Sequence, residues 1–238
     1  MNINVIISAA DVILSAIFSV LIIRQYVERK RMHQLMWAIA VVLWTIGVAA
    51  ELVATMGGWS QLSYRAYYAT GALLIPAWLG MGTLYLVLRK TVADWILIVL
   101  AILSVIGVVL IAAWPVNAAQ LQSTAAGFVP LKVFPFFPIQ LLLIILNTFG
   151  AVAFIGGALW SVYRFARMQS MGERALATGL IAIGGLIAAG AHSLGVLSGV
   201  ELFRISELLA LILIFIGFVL SSTSSTRQAI AAPQATSS

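Results

Sequence analysis

Residues 95–114, WILIVLAILSVIGVVLIAAW, form the continuous apolar stretch that decides the class of this protein. They include no charged residue and a single hydroxyl side chain, Ser104. A helix rises about 1.5 Å per residue, so this stretch spans about 30 Å, the thickness of the hydrocarbon core of a bilayer. It therefore predicts a transmembrane helix.

The rest of the chain has the same character, with 63% hydrophobic and only 8% charged residues. This composition excludes an ordinary soluble domain and is typical of polytopic membrane proteins. We predict an all-α fold of seven transmembrane helices in a single domain, residues 1–222, followed by a polar, flexible tail, residues 223–238. The predicted spans cover about 4–25, 34–56, 64–88, 95–114, 138–163, 175–198 and 203–222.

Basic residues fall unevenly between the two sides of the predicted bundle. Ten lie in the first, third and fifth loops and the tail, and three, Arg65, Lys132 and Arg204, lie on the other side. Because cytoplasmic loops are rich in Lys and Arg, we expect the N-terminus outside and the C-terminus inside, in the plasma membrane. The same bias explains the net charge of +6. Since the chain has no basic patch interleaved with aromatic residues, no nucleic-acid partner is expected.

The sequence lacks the residues that several kinds of chemistry require. It has no cysteine for disulfides or thiolate metal sites, and its two histidines cannot ligate a haem between facing helices because His33 lies in a cytoplasmic loop. The layout resembles opsin-like seven-helix proteins in helix count and orientation only, and no span has the deep lysine that a retinal Schiff base needs. An enzyme is therefore not favoured, no catalytic or metal-binding residue is assigned, and the sequence identifies no cofactor.

Six ionisable residues lie in or at the edge of the predicted spans, all in the outer half of the membrane. They are Asp11, Glu51, Arg65, His192, Arg204 and Glu207. Since charged side chains are costly in hydrocarbon, such residues mark a functional site by default. Their helix faces carry small, polar or aromatic residues, including Tyr68 on the face of Arg65, and membrane helices turn such faces inward. The sequence predicts one polar pocket that opens to the outside, with Tyr68 in its lining.

We interpret this pocket as the binding site for a small or ionic ligand, in a sensor or a transporter-like carrier that sits in the lipid bilayer. In this hypothesis Asp11 and Glu51 supply charge or a proton. Arg65 pairs with Glu51 or contacts an anionic ligand. His192 responds to pH, since an imidazole titrates near neutrality.

These residues also have structural interpretations, and His192 could be a packing histidine with its hydrogen bonds satisfied. Asp11 and Glu51 could be carboxylates that lock helices together, and Arg65 could extend to the lipid headgroups. Arg204 and Glu207, three residues apart at a helix end, could form an exposed surface pair. The alternative function is a non-catalytic subunit that packs against other membrane proteins, lipids or pigments. An intramembrane enzyme has no motif spacing to support it.

Three further features concern the shape and packing of the helices. Pro76 removes a helix hydrogen bond and predicts a kink near the middle of the third span. Asn147, in the fifth span, predicts an interhelical hydrogen bond. The sixth span is rich in glycine and alanine, which favours tight packing, with a moving part as the alternative.

Overall fold

The computed structural model describes residues 3–117, 119, 121, 133–167, 172–198 and 200–231. Within these ranges the chain is helical apart from short connections and contains no strand, which confirms the predicted all-α class. The helices are α1 (Ile3–Arg29), α2 (Met32–Gly57), α3 (Gln61–Tyr67), α4 (Ile75–Val87), α5 (Lys90–Ala113), α6 (Leu141–Ala166), α7 (Gly172–Ser198) and α8 (Val200–Ala231).

The seven predicted spans correspond to these eight helices. The third span consists of α3 and α4, joined by a π-helical segment, Tyr68–Leu74, which we call the π turn. Six spans are long and apolar enough to cross a membrane, and the described apolar run of α7, Ala175–Ala191, covers 17 residues. Helix α8 continues to Ala231, beyond the predicted end at residue 222, and residues 232–238 lie outside the described part.

Six of the helices form a closed ring. In order around the ring they are α1, α2, α4, α6, α7 and α8, and α8 returns to pack against α1. The ring therefore follows the order of the chain, and α5 lies outside it. The ring brings the first and last helices of the described chain together, which places residues of α1, α2 and α8 at one site.

Helix α5 packs on the outside of this ring, against α4, the π turn and α6. It buries only a narrow stripe of residues, Ala93, Leu100, Ser104, Gly107 and Ile111. These positions follow one another at intervals of three, four or seven residues, so they share one face of the helix. The remaining faces are exposed Ile and Val side chains that suit contact with lipid.

A proline disturbs the third span, and α6 compensates for it. In a regular helix the N–H of residue 76 would donate to the carbonyl of Ala72, but Pro76 has no N–H. The Asn147 Nδ2 donates to this Ala72 carbonyl at 2.9 Å. Gly150, one turn further along α6, lies so close to the Pro76 backbone that a Cβ there would collide with it. The interhelical hydrogen bond predicted for Asn147 is therefore confirmed.

The reversal between α2 and α3 is set by local residues. Gly58 ends α2 with a φ of 81°, a backbone conformation that favours glycine. Ser60 then caps α3: its hydroxyl accepts a hydrogen bond from the Ser63 N–H at 3.0 Å, and Ser63 Oγ accepts one from the Ser60 N–H at 3.0 Å. This tight turn returns the chain toward the ring and positions the tyrosines of α3 against it.

Candidate functional site

A buried ion pair connects α8 to α2. The Arg204 guanidinium lies 3.1 Å from Glu51 Oε1, and both side chains are only 2% exposed. Arg204 also donates to Thr55 Oγ1 at 2.8 Å and to the hydroxyl of Ser8 on α1. A guanidinium held by a carboxylate and two hydroxyls thus joins three helices. Leaving either charge without its partner in such a setting costs about 3–5 kcal/mol.

Two more carboxyl groups complete what we call the charge cluster: Asp11, Glu51, Arg204 and Glu207. Asp11 is 3% exposed. Glu207 borders the same small space as Asp11, Glu51 and Arg204. The space that these groups enclose with Ser8 has no room for a water molecule. The cluster is therefore a packed set of three acids and one base, and it leaves no volume for a ligand within it.

The sequence places these groups through simple helical spacing. Ser8 and Asp11, Glu51 and Thr55, and Arg204 and Glu207 are each one turn apart on their own helix. Each helix thus directs two polar side chains to the same place. The structural interpretation of Arg204 and Glu207 as an exposed surface pair is wrong, because Arg204 is buried and pairs with Glu51.

The hypothesis that Arg65 pairs with Glu51 is also wrong. The Arg65 guanidinium donates instead to the carbonyl oxygens of Ala112 and Trp114, each at 2.8 Å, and to that of Ile111. Ile111 and Ala112 lie in the last turn of α5 and Trp114 directly follows it, and helix geometry leaves carbonyls at a C-terminus without N–H partners. A cation is also favoured at a helix C-terminus. Arg65 therefore caps α5 and lies apart from the charge cluster.

Tyr68 lies in an aromatic group that covers one end of the bundle. Its ring centroid lies 5.0 Å from that of Phe134, and Tyr64 lies 5.5 Å from the same phenylalanine. Phe134 is buried, so the segment before α6 folds onto the bundle. Among the remaining predicted residues, His192 falls on α7, but its side chain lies outside the described part of the structure.

A cavity of about 510 Å³ lies inside the ring, next to the charge cluster. Its size is that of a site for a small organic molecule. Glu207 belongs to both, because it borders the space within the charge cluster and also forms part of the cavity wall. Of the described residues that line the cavity, none is Lys, Arg or His. The polar or aromatic ones are Trp44, Tyr67, Tyr68, Asn147, Thr148, Phe154, Phe203 and Glu207.

Trp44 has a hydrogen-bond donor with no partner among the described residues. Its side chain lines the cavity and is 4% exposed, and its indole Nε1 is buried without an acceptor. An unsatisfied buried donor costs about 1–3 kcal/mol. Sequence reasoning did not assign Trp44 to the site. The available signal was its position two helical turns before Glu51, on the same face of α2.

No family model, curated protein or solved structure matches this chain. Any function must therefore be inferred from the geometry of the site. Over the residues that the structure describes, no group of three or more His, Asp or Glu side chains is arranged to hold a metal ion.

Proposed function

We propose that this integral membrane protein binds a small, largely apolar molecule in the cavity inside the ring. The observation that carries the proposal is a cavity of about 510 Å³ whose described wall combines aromatic rings and small residues with one carboxyl residue, Glu207. The ligand would place its apolar part against the rings and a polar group near Glu207. The distribution of Lys and Arg favours access from the outer side, as in a sensor or a transporter-like carrier.

The lining supports a maintained space rather than a packing defect. Each of α2, the π turn, α6 and α7 contributes glycine or alanine to the wall: Gly47, Gly71, Ala72, Gly150, Ala151, Gly185, Ala188, Ala189 and Ala191. Small residues normally let membrane helices approach closely. Here they also border an open volume of about 510 Å³. Binding sites for small molecules combine such apolar walls with a few polar groups.

The charge cluster has a supporting role in this proposal. Arg204 fixes α8 against α1 and α2 through Glu51, Thr55 and Ser8. Glu207 lies one turn from Arg204, so its carboxyl group is held at the cavity wall. Asp11 and Glu51 then act on the ligand only through Arg204 and Glu207.

Native mass spectrometry of the protein, gently solubilised from its own membrane, tests the proposal. A bound small molecule is expected on the wild type. It should be lost when Ala151, which lines the cavity, is replaced in Ala151→Phe. Val152→Phe is the matched control, because the adjacent Val152 is 69% exposed on the lipid side. Ala188→Phe fills the cavity from α7 if the first variant does not fold.

The same spectra separate the proposal from the alternative function. A wild-type protein that carries no small molecule, or one retained equally by both cavity-filling variants, would contradict binding in the cavity. A stoichiometric foreign subunit or pigment that is unaffected by Ala151→Phe would favour the non-catalytic subunit instead.

A further inference from the structure

The charge cluster holds more acid than base. Three carboxyl groups, on Asp11, Glu51 and Glu207, surround the single guanidinium of Arg204. With all of them ionised, the cluster would have two uncompensated negative charges in a space without room for water. Such charges are strongly disfavoured in a low-dielectric interior.

The buried ion pair identifies which acids hold protons. Glu51 pairs with Arg204 at 3.1 Å, which favours its ionised form. The residues around this space include no second basic group, so neutrality requires protons on the other two acids, Asp11 and Glu207. Of these two, Glu207 also lines the cavity, so its proton is the one that a ligand can reach.

The cavity wall next to this acid suits a positively charged ligand. Glu207 is the only carboxyl group among the described lining residues, and that lining includes no basic side chain. Trp44, Tyr67, Tyr68, Phe154 and Phe203 contribute aromatic rings. Organic cations bind to aromatic faces, and a carboxylate nearby neutralises their charge.

We infer that the ligand of this cavity is a lipophilic organic cation and that it displaces the proton held by Glu207. This inference rests on the proposed function, since it specifies the ligand class of the same cavity. The exchange is balanced without any other reactant. The O–H bond of the Glu207 carboxylic acid breaks, the proton is released to water, and the resulting carboxylate forms an ion pair with the cation.

The other titratable groups around Glu207 come from four helices. Asp11 faces it from α1, Glu51 from α2, Tyr67 from α3, and Arg204 lies one turn away on α8. The described side chains of α7, residues 175–191, include no titratable group. Of these neighbours, Glu207 is the carboxyl group that reaches the cavity.

Tetraphenylphosphonium, a lipophilic cation, and neutral triphenylphosphine oxide are suitable probes for the purified chain in lipid nanodiscs. Binding is followed by calorimetry, and proton release by a pH-indicator dye in weak buffer. The wild type should release about one proton per bound cation and none with the neutral probe. Glu207→Gln should bind the cation at least about tenfold more weakly, a loss of about 1.4 kcal/mol, and release no proton. Glu28→Gln, in an exposed ion pair on α1, should behave like the wild type.

The pH dependence provides a second measurement that needs only the wild type. Because a bound proton competes with the cation, affinity for tetraphenylphosphonium should rise with pH, by up to about tenfold per pH unit while Glu207 is protonated. Triphenylphosphine oxide should bind with little change over the same range. This comparison remains decisive if Glu207→Gln does not fold.

Three outcomes would overturn the inference. One is cation binding without proton release or pH dependence. Another is equal cation affinity in Glu207→Gln. In both cases the cavity still binds a ligand, so the proposed function stands. The third is no cation binding by the wild type. Then the inference fails, and the mass spectra of the Ala151→Phe and Val152→Phe variants decide the proposed function separately.

Discussion

Asn147 supplies the hydrogen bond that Pro76 removes from the third span. Its Nδ2 donates to the Ala72 carbonyl at 2.9 Å, the position that the missing N–H of residue 76 would occupy in a regular helix. The π turn precedes this proline, and Gly150 packs against its backbone from α6. The distorted third span and Asn147 of the fifth span thus meet in one contact at the cavity wall.

This relationship predicts a coupled pair of substitutions. Asn147→Leu should lower the free energy of unfolding by about 1–3 kcal/mol, because it leaves the Ala72 carbonyl buried without a donor. In a Pro76→Ala background the restored N–H can donate to that carbonyl, so the same change should cost less than half as much. A double-mutant cycle from denaturant unfolding in detergent gives the coupling. Equal costs in both backgrounds would contradict the compensation.

The glycines of α6 predict opposite effects of the same substitution. Gly150→Ala should destabilise the protein by about 1–3 kcal/mol, since its Cβ would collide with the Pro76 backbone. Gly156→Ala should be neutral or stabilising by up to about 1 kcal/mol, because nothing lies within 4 Å of its Cβ position. Thermal unfolding of the two variants in the same lipid compares them directly. A similar loss in both would mean that Gly150 does not make this close contact.

The buried and exposed ion pairs predict a large difference in stability. Arg204→Met leaves Glu51 without its cation and should cost about 3–5 kcal/mol. Arg24→Gln removes an exposed pair with Glu28, whose atoms lie 3.0 Å apart, and should change stability by no more than about 1 kcal/mol.

The double variant Glu51→Leu/Arg204→Met tests the cause of that difference. It should be more stable than Arg204→Met alone, because it removes the unpaired carboxylate as well. Chemical unfolding followed by tryptophan fluorescence measures all three variants. If the double variant is the least stable, Arg204 stabilises the bundle chiefly through its hydroxyl contacts with Thr55 and Ser8.

Arg65 predicts a local effect at the end of α5. Arg65→Gln should increase hydrogen exchange of the amides in the last turn of that helix, because the carbonyls of Ala112 and Trp114 lose their donor. Exchange in the charge cluster and ligand retention in the cavity should not change. Arg89→Gln, at the other end of α5, is the control. If Arg65→Gln loses the bound ligand and Arg89→Gln keeps it, Arg65 contributes to ligand binding and the capping role is not its only one.

Much of the architecture could be predicted from the sequence, because apolar length and helical period determine a membrane helix by themselves. The seven spans and the shared depth of Asp11, Glu51, Arg204 and Glu207 followed from these patterns. The sequence did not predict the partner of Glu51. Arg65 is closer to Glu51 along the chain, but the ring brings α8, which carries Arg204, beside α1 and its neighbour α2. No local pattern specifies that order of helices, or the position of α5 outside the ring.

The cavity was not predictable for a different reason. A row of glycine and alanine in a sequence predicts close packing of helices. Between α6 and the third span this prediction holds, as at Gly150 and Pro76. Other small residues, such as Ala151 on α6 and Ala188 on α7, line an open volume beside that contact. The difference depends on the distances between helix axes, which are a property of the whole assembly.

The closure of the ring by α8 against α1 also has a consequence for biosynthesis. Segments near the N-terminus emerge and begin to fold first during translation. Asp11 and Glu51 therefore enter the membrane while Arg204, nearly 200 residues behind Asp11 in the sequence, has not yet been made. A nascent chain that stalls before α8 is left with these two carboxyl groups and without the Arg204 guanidinium that pairs with Glu51 in the finished bundle.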